Sequence, residues 1–177
     1  MAGEYAIDIR LVDLADAALL ELEKNNRYFF QKYTPLKKEE FYTLQGQIDR
    51  IKKSISNASQ DAGYTFGILL KDAGALIGVV SLTEVVRGDL QSCWIGYCLD
   101  KNNNGKGYMT QAVRLAVGYG FGKLKLHRIE AGVMPHNRAS IRVLEKAGFH
   151  KEGIGRQNVR INGKWEDHQT LAIINNE

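Results

Sequence analysis

Apolar and polar residues alternate from Tyr5 to Leu11, which predicts a first strand, because successive strand side chains point to opposite faces. The period then becomes helical. Asp13 is placed as an N-cap ahead of Leu14, Ala17, Ala18, Leu20 and Leu22, and Phe41, Leu44, Ile48, Ile51 and Ile55 mark a second helix over Lys38–Asn57. Between them, Asn25–Pro35 predicts a turn crowded with Tyr28, Phe29, Phe30 and Tyr33. These aromatics read foremost as an edge of the core; the other reading is the wall of a substrate groove. Two strands, Tyr64–Leu70 and Ala75–Glu84, flank the hairpin signal Lys71-Asp72-Ala73-Gly74. A turn through Arg87-Gly88-Asp89 leads into a further strand, Gln91–Leu99.

The longest amphipathic run follows, with Met109, Ala112, Val113, Ala116, Val117, Phe121 and Leu124 at helical spacing. His127–Met134 predicts a strand. Asn137–Ala147 predicts a short helix with Ile141, Leu144 and Ala147 inward. Gly148 suits the residue past its end, with Phe149 placed to touch Leu144. Ile154–Ile161, Asn162-Gly163 and Lys164–Ile174 predict a closing hairpin. The order mixes antiparallel pairing with one strand-helix-strand crossover, an α/β chain of the α+β kind. It fits neither a dinucleotide-binding fold nor a barrel. No repeat, linker or low-complexity segment interrupts the 177 residues, so 1–177 is expected to be a single domain.

Composition narrows the classes. Hydrophobic residues make up 44% and there are only two prolines, which argues for a folded core rather than disorder. The net charge of +4 suits an acidic ligand, but no run of five basic residues exists, so direct nucleic-acid recognition is not expected. Cys93 and Cys98 fall on opposite faces of one predicted strand and cannot easily bridge each other, which points to a reducing compartment. With four scattered histidines they make no metal-ligand pattern. MAGEYAIDIR lacks the apolar core of a signal peptide, and no apolar run approaches membrane-spanning length. The expectation is a cytoplasmic protein with no membrane partner, so the glycosylation sequence Asn57-Ala58-Ser59 is set aside.

Candidate chemistry centres on WIGYCLDKNNNGKGYMTQA, Trp94–Ala112: an apolar strand, an Asn/Gly turn and a helix start. Glycines let a backbone approach a ligand, and a helix start offers unpaired N–H groups and partial positive charge, the parts of an anion site. The spacing excludes the common nucleotide loops. A dinucleotide turn needs glycine at Thr110, and in a Walker loop Lys106 needs Ser or Thr after it where Gly107 stands.

With its surroundings, this stretch resembles the GNAT acyl-CoA N-acetyltransferase superfamily, whose signature is Gln/Arg-x-x-Gly-x-Gly/Ala at a strand-to-helix turn. Gly105 and Gly107 match; Asn102 stands in the Gln/Arg place. Further blocks are similar to the ribosomal-protein-alanine N-acetyltransferase group: Val85-Val86-Arg87-Gly88, Ile95-Gly96-Tyr97, His127-Arg128-Ile129, Met134-Pro135-His136-Asn137, Ala147-Gly148-Phe149 with Glu152-Gly153, and Gly163-x-Trp165-x-Asp167-His168. The resemblance implies a mixed, mostly antiparallel sheet of about seven strands, splayed at the two central parallel strands, with about four helices. It implies acetyl-CoA as cosubstrate and no metal. Asn104, Gly105, Lys106, Gly107, Tyr108 and Met109 would hold the pyrophosphate largely through main-chain N–H groups. The strand Ile95–Leu99, with Ile95, Tyr97, Cys98 and Leu99 along it, would pair with the pantetheine arm opposite a splayed Ile129–Val133.

Acetyl transfer to an amine needs a neutral amine, alignment, a polarised carbonyl and a protonated leaving thiolate. A backbone N–H near Tyr97 or Cys98 can polarise the carbonyl. By resemblance Ser140 protonates the thiolate and Asn137 contacts the coenzyme; as residues alone they read as a first-turn serine and an N-cap. Glu84 is a candidate base or a solvated strand-end charge. Asp167 and His168 are its rivals, through substrate binding or a proton relay, and His136 reads as a loop residue. Arg87 and Trp165 read as substrate-side elements or as structural ones. The expected activity is acetyl transfer by direct attack in a ternary complex, most closely to the N-terminal alanine of a ribosomal protein. The alternatives are a small amine (polyamine, amino sugar or amino acid) as acceptor, or a non-catalytic coenzyme A-binding factor on the ribosome.

Overall fold

The computed structural model describes residues 5–16 and 18–176; Ala17, assigned above to the first helix, lies outside them. The strands are β1 (Ile7–Leu11), β2 (Gly63–Leu70), β3 (Leu76–Val86), β4 (Ser92–Leu99), β5 (Arg128–Val133), β6 (His150–Ile161) and β7 (Lys164–Ile174). They form one sheet in the order β1-β2-β3-β4-β5-β7-β6. Every neighbouring pair is antiparallel except β4 and β5, the crossover pair, which is parallel. The helices are α1 (Ala18–Asn25), α2 (Arg27–Gln31), α3 (Leu44–Ser59), α4 (Tyr108–Gly122) and α5 (Arg138–Ala147). The fold is that expected from the resemblance. Among the described residues no helix is long and apolar enough to cross a membrane.

Two apolar layers sandwich the sheet. On one face α4 and α5 bury Ala112, Val113, Ala116, Ile141 and Leu144 against Leu82, Ile95, Ile129 and Leu171. On the other, α1 and α3 bury Leu19, Leu22 and Ile51 against Val79. Strand alternation sends neighbouring β4 residues to the two layers: Cys93 and Ile95 join the first, and Cys98 packs against the second. The two cysteines are free and on opposite faces.

The local departures from the sequence reading have identifiable causes. The helix expected over Lys38–Asn57 breaks at Thr43. Glu39–Tyr42 form a 3-10 turn, Thr43 is extended (φ −106°, ψ 159°), and its hydroxyl accepts the Gly46 N–H to start α3. A Cβ on Gly46 would lie 1.9 Å from the Glu40 carbonyl oxygen, so only glycine lets the turn fold back there. Asp13 caps a turn rather than a helix, accepting the Ala15 N–H at 2.8 Å. The buried Asp16 carboxylate takes both Arg10 and the Asp13 N–H, its carbonyl accepts the Leu19 N–H, and Leu14 stays exposed. Within the expected turn Asn25–Pro35, α2 forms. The final hairpin begins at His150 rather than Ile154, because bulges between Lys151 and Gly153 and between Gly155 and Val159 break the alternation that marks a strand. At α5, Gly148 (φ 103°) and Phe149 send their N–H groups to Glu145 and Leu144, the ending expected there.

The feature that positions the site is the short parallel ladder. Strands β4 and β5 pair only at Ser92–Arg128, Cys93–Ile129 and Trp94–Glu130, although β4 runs on to Leu99 and β5 to Val133. Beyond Trp94 the facing backbone edges part. On its other side β4 stays paired with β3 as far as Leu99.

Candidate active site

A cleft of about 550 Å³ opens where β4 leaves β5. Its floor is Tyr97, Cys98 and Leu99. One end is the turn Asn103–Gly107 with the first residues of α4, one wall is α5 from Asn137 to Lys146, and the opposite wall is Phe29, Phe30, Tyr33 and Thr34. The aromatic segment is therefore a cleft wall as well as a core edge; Phe30 does both, packing against the α1–α3 layer. A second hollow of about 530 Å³, between Lys24, Arg27 and Glu39–Thr43, contains none of the predicted site residues.

The turn is built for an anion. Gly105 (φ 79°) and Gly107 (φ 80°) both lie in the left-handed region, where a side chain is strained, and nothing stands within 4 Å of where their Cβ atoms would be. Gly107 is the N-cap of α4 and offers no side-chain cap. The first amide with a helical partner is that of Gln111, so the N–H groups of Tyr108, Met109 and Thr110 lack intrahelical acceptors at a positive helix end. Lys106 stands outside the lining, its Nζ 3.3 Å from Asn103 Oδ1 and 5.9 Å from the Tyr108 ring centre. Asn26, 1% exposed, holds the turn from behind: its Oδ1 accepts the Lys101 N–H at 2.9 Å while its Nδ2 donates to the Leu22 carbonyl.

Tyr97 and Ser140 meet in the cleft. The Tyr97 hydroxyl donates to the Ser140 carbonyl oxygen at 3.1 Å and lies 2.8 Å from Ser140 Oγ. With the phenol proton on the carbonyl, the Ser140 hydroxyl donates to Tyr97 Oη. Burial raises the Tyr97 pKa, and the Ser140 bond partly offsets it, so the phenol is neutral at neutral pH. Asn137 caps α5, its Oδ1 accepting the Ser140 N–H at 3.3 Å, which fixes the serine in the first turn facing β4. The Cys98 thiol is pushed up to about 12, foremost by burial, and stays protonated.

Of the other residues predicted from sequence, Asn104, Met109 and Leu99 line the cleft, and Ile95 is buried in the core beneath it. Arg87 is placed elsewhere. Its guanidinium grips Asp61 with two nitrogens and donates to the Leu124 carbonyl at 2.6 Å, just past the far end of α4 and about 20 Å along that helix from the turn. Glu84 is exposed in the bulge between Thr83 and Val86, with φ 53°, and does not line the cleft. Trp165 is 60% exposed on the β6–β7 hairpin. Asp167 accepts the Gln157 N–H and stabilises the hairpin bulge. His168 is buried on the sheet face opposite α4 and α5, beside Gly132.

Sequence reasoning did not single out Arg142 and Lys146, which line the α5 wall. Their signal was available: Arg138, Arg142 and Lys146 recur every fourth residue, a cationic stripe along one side of α5. Among the described residues the cleft lining contains no carboxylate. Donor-rich main chain at one end and cations along one wall fit a phosphate-bearing ligand, and the free edge of β4 fits an amide-bearing arm leading from it.

Comparison with known proteins agrees with this chemistry. The acetyltransferase (GNAT) domain family matches residues 7–150, and the chain belongs to that family. It is similar to the Bacillus subtilis (strain 168) protein YjcK, described as a probable N-acetyltransferase, with 54% identity over 96% of this chain and 94% of the relative. It shares 33% identity with the ribosomal protein uS5–alanine N-acetyltransferase of Escherichia coli (strain K12), over 93% of this chain and 86% of that one. The crystal structure of ribosomal-protein-S5-alanine acetyltransferase from Vibrio fischeri superposes with a TM-score of 0.93 at 30% identity, covering 99% and 96% of the two chains. The protein is an acetyl-CoA-dependent N-acetyltransferase.

Proposed function

We propose that this acetyltransferase modifies a protein N-terminus, foremost the N-terminal alanine of a ribosomal protein, by direct attack within a ternary complex. The observation that carries the reading is the split sheet. Beyond Trp94 the β4 and β5 edges part between the α5 wall and the Phe29–Thr34 wall, so a donor laid along β4 and an acceptor arriving from the hairpin side can meet at the gap. The charge pattern supports a peptide over a polyamine. On the hairpin side, Glu130 and Glu152 share the Arg128 guanidinium rather than offering a free acidic pocket. Relatives named for ribosomal-protein alanine acetylation supply the acceptor class. Such an acceptor puts the enzyme in the cytoplasm.

In this mechanism the amides of Gly105 to Thr110 hold the pyrophosphate of acetyl-CoA, with Lys106, Arg142 and Lys146 adding charge. The β4 edge from Ile95 to Leu99 pairs with the pantetheine amides, and Asn137 adds a side-chain contact. A β4 amide near Tyr97 or Cys98 polarises the thioester carbonyl. Ser140, backed by the neutral Tyr97 hydroxyl, gives its proton to the departing thiolate. An α-amine, with a pKa of about 7.7–8.0, needs only about 1 kcal/mol to deprotonate at pH 7, against more than about 4 kcal/mol for a lysine, which favours an N-terminal acceptor. Trp165 and Asp167 lie on the hairpin that borders the acceptor side. The test is labelled acetyl-CoA with a panel of N-terminal peptides, intact ribosomal proteins, polyamines and amino sugars. Labelled N-terminal alanine is the expected product. Labelled polyamine alone would replace the peptide reading, and tight coenzyme binding without transfer to any amine would overturn it.

A further inference from the structure

The hairpin-side mouth of the split is framed by two glycines and two rings. The parallel register, carried two residues past Trp94–Glu130, brings Gly96 level with Gly132. Nothing lies within 4 Å of a Cβ built on Gly96. The nearest atoms to a Cβ built on Gly132 would be His168 Cδ2 at 3.6 Å, Trp94 Cζ3 at 3.7 Å and His168 Cβ at 4.0 Å. The mouth therefore has a backbone floor and aromatic sides, and behind it lies the β4 edge at Tyr97.

His168 is 7% exposed, and its Nδ1 lies 3.3 Å from the Glu166 carbonyl oxygen. A carbonyl only accepts, so that contact places the neutral-state proton on Nδ1 and the lone pair on Nε2. Among the described residues no group bonds Nε2 and no fully buried side-chain nitrogen or oxygen lacks a partner, which leaves Nε2 with access to solvent. The ring is thus enclosed and oriented by the protein, with its one free acceptor atom on the edge that borders the mouth.

We propose that His168 is the base of the reaction, its Nε2 taking the proton of the acceptor ammonium directly or through one water. This rests on the N-acetyltransferase reading above. The ammonium gives one proton to Nε2, and the freed nitrogen pair forms the C–N bond to the acetyl carbon. As the C–S bond breaks, the thiolate takes the Ser140 hydroxyl proton, and the second amine proton restores that hydroxyl. The imidazolium then returns its proton to solvent.

The rival carboxylates are worse placed. Glu130, on the same face of β5, is held by Arg128 at 2.9 Å. Glu166 lies two residues further along β7, about 6.6 Å farther from Gly132. On β6, Gly155 pairs with His168 and carries no side chain. Glu84 stays outside in its bulge.

The test compares His168→Ala, His168→Gln and Glu166→Gln with wild type, using acetyl-CoA and whichever amine of the panel wild type acetylates. Removal of a general base lowers kcat by about 10²–10⁴-fold. Both His168 variants are expected to lose about 10²-fold in kcat while binding acetyl-CoA with an unchanged Kd. Added imidazole is expected to restore turnover to His168→Ala at least 5-fold and to leave His168→Gln unchanged. Glu166→Gln is expected within 3-fold of wild type. A His168 variant within 3-fold of wild type, a loss with no imidazole rescue, or a larger loss in Glu166→Gln each overturns the assignment. Should wild type acetylate no amine, the enzyme reading falls and His168 has no reaction to serve, whereas an active wild type with active His168 variants removes this inference alone. Gly132→Ala makes an independent check. Its Cβ meets both rings at ordinary contact distance, so the fold is kept while the mouth narrows, and the acceptor KM should rise at least 5-fold with the acetyl-CoA Kd unchanged.

Discussion

At the α4 end of the cleft, the turn presents main-chain amides, two left-handed glycines and a helix start. On the hairpin side there are rings and bulges: Trp94 and His168 over Gly132, a β6 strand broken by register shifts, and an exposed Trp165. The difference teaches where each kind of specificity resides. A pyrophosphate is the same in every acetyl-CoA, and in the proposed reading a cradle of amides whose conformation depends on a few glycines suffices to hold it. An acceptor varies, and side chains presented on a hairpin can vary with it while the sheet stays unchanged.

The largest expected effect strikes the main-chain side. Gly107→Val forces a β-branched residue to φ near 80° and puts its side chain into the cradle, so isothermal titration should find acetyl-CoA binding weakened at least 100-fold. Asn102→Ala should bind within about 2-fold of wild type, since only its backbone N–H is engaged, donating to Asp100. Equal losses in the two would mean that the side chain at 102, not the amide cradle, carries the site.

Ser140→Ala comes next. It removes the proposed proton donor and leaves the cap intact, because Asn137 bonds the Ser140 amide rather than its hydroxyl. Steady-state kinetics should show kcat down about 10–100-fold with the acetyl-CoA Kd unchanged. Unchanged turnover would move the acid role to Tyr97 or to water.

Asn26→Ala tests the support behind the cradle. It strips the Lys101 N–H of its buried acceptor, at a cost of about 1–3 kcal/mol. That corresponds to roughly 2–4 °C of Tm per kcal/mol in a chain of this size, and the acetyl-CoA Kd should rise with it. Asn26→Asp keeps the acceptor and should recover the coenzyme affinity.

The smallest effect separates Arg87 from the acceptor site. Arg87 holds the Asp61 carboxyl below its ordinary range, foremost by hydrogen bonding. A depressed folded-state pKa contributes stability above the unfolded pKa of about 3.9, and that contribution is lost as pH falls through the lower folded value. Asp61 is 41% exposed, so the pair is screened and its contribution small. Asp61→Asn should lower Tm at pH 7 by about 1–2 °C, with the gap from wild type closing below about pH 3. Acceptor KM should stay within 2-fold; a large KM change would return Arg87 to the substrate side.

Much of this was legible in the chain. The 3.6-residue period of Met109–Leu124 marked α4, the Leu144–Gly148–Phe149 ending marked α5, and glycines at 105 and 107 marked the strand-to-helix turn. Each of these signals is local, written within one or two turns of backbone. The hairpin side was hard to read for the same reason. Glu84, Arg87 and His168 are polar residues whose sequence neighbours say nothing about which strand lies beside them.

By itself, then, the sequence determined the elements, the cradle at Gly105 and Gly107, and the cap that presents Ser140, because backbone conformation follows from glycine, period and capping within a few residues. Tertiary structure decided what those elements face. It broke the parallel ladder after Trp94, brought Tyr97 to Ser140 across 43 positions of chain, turned Phe29, Phe30 and Tyr33 into a wall, tied Arg87 to Asp61, and set His168 beside Gly132. Those are long-range pairings, fixed by sheet order and burial, and no local pattern encodes them.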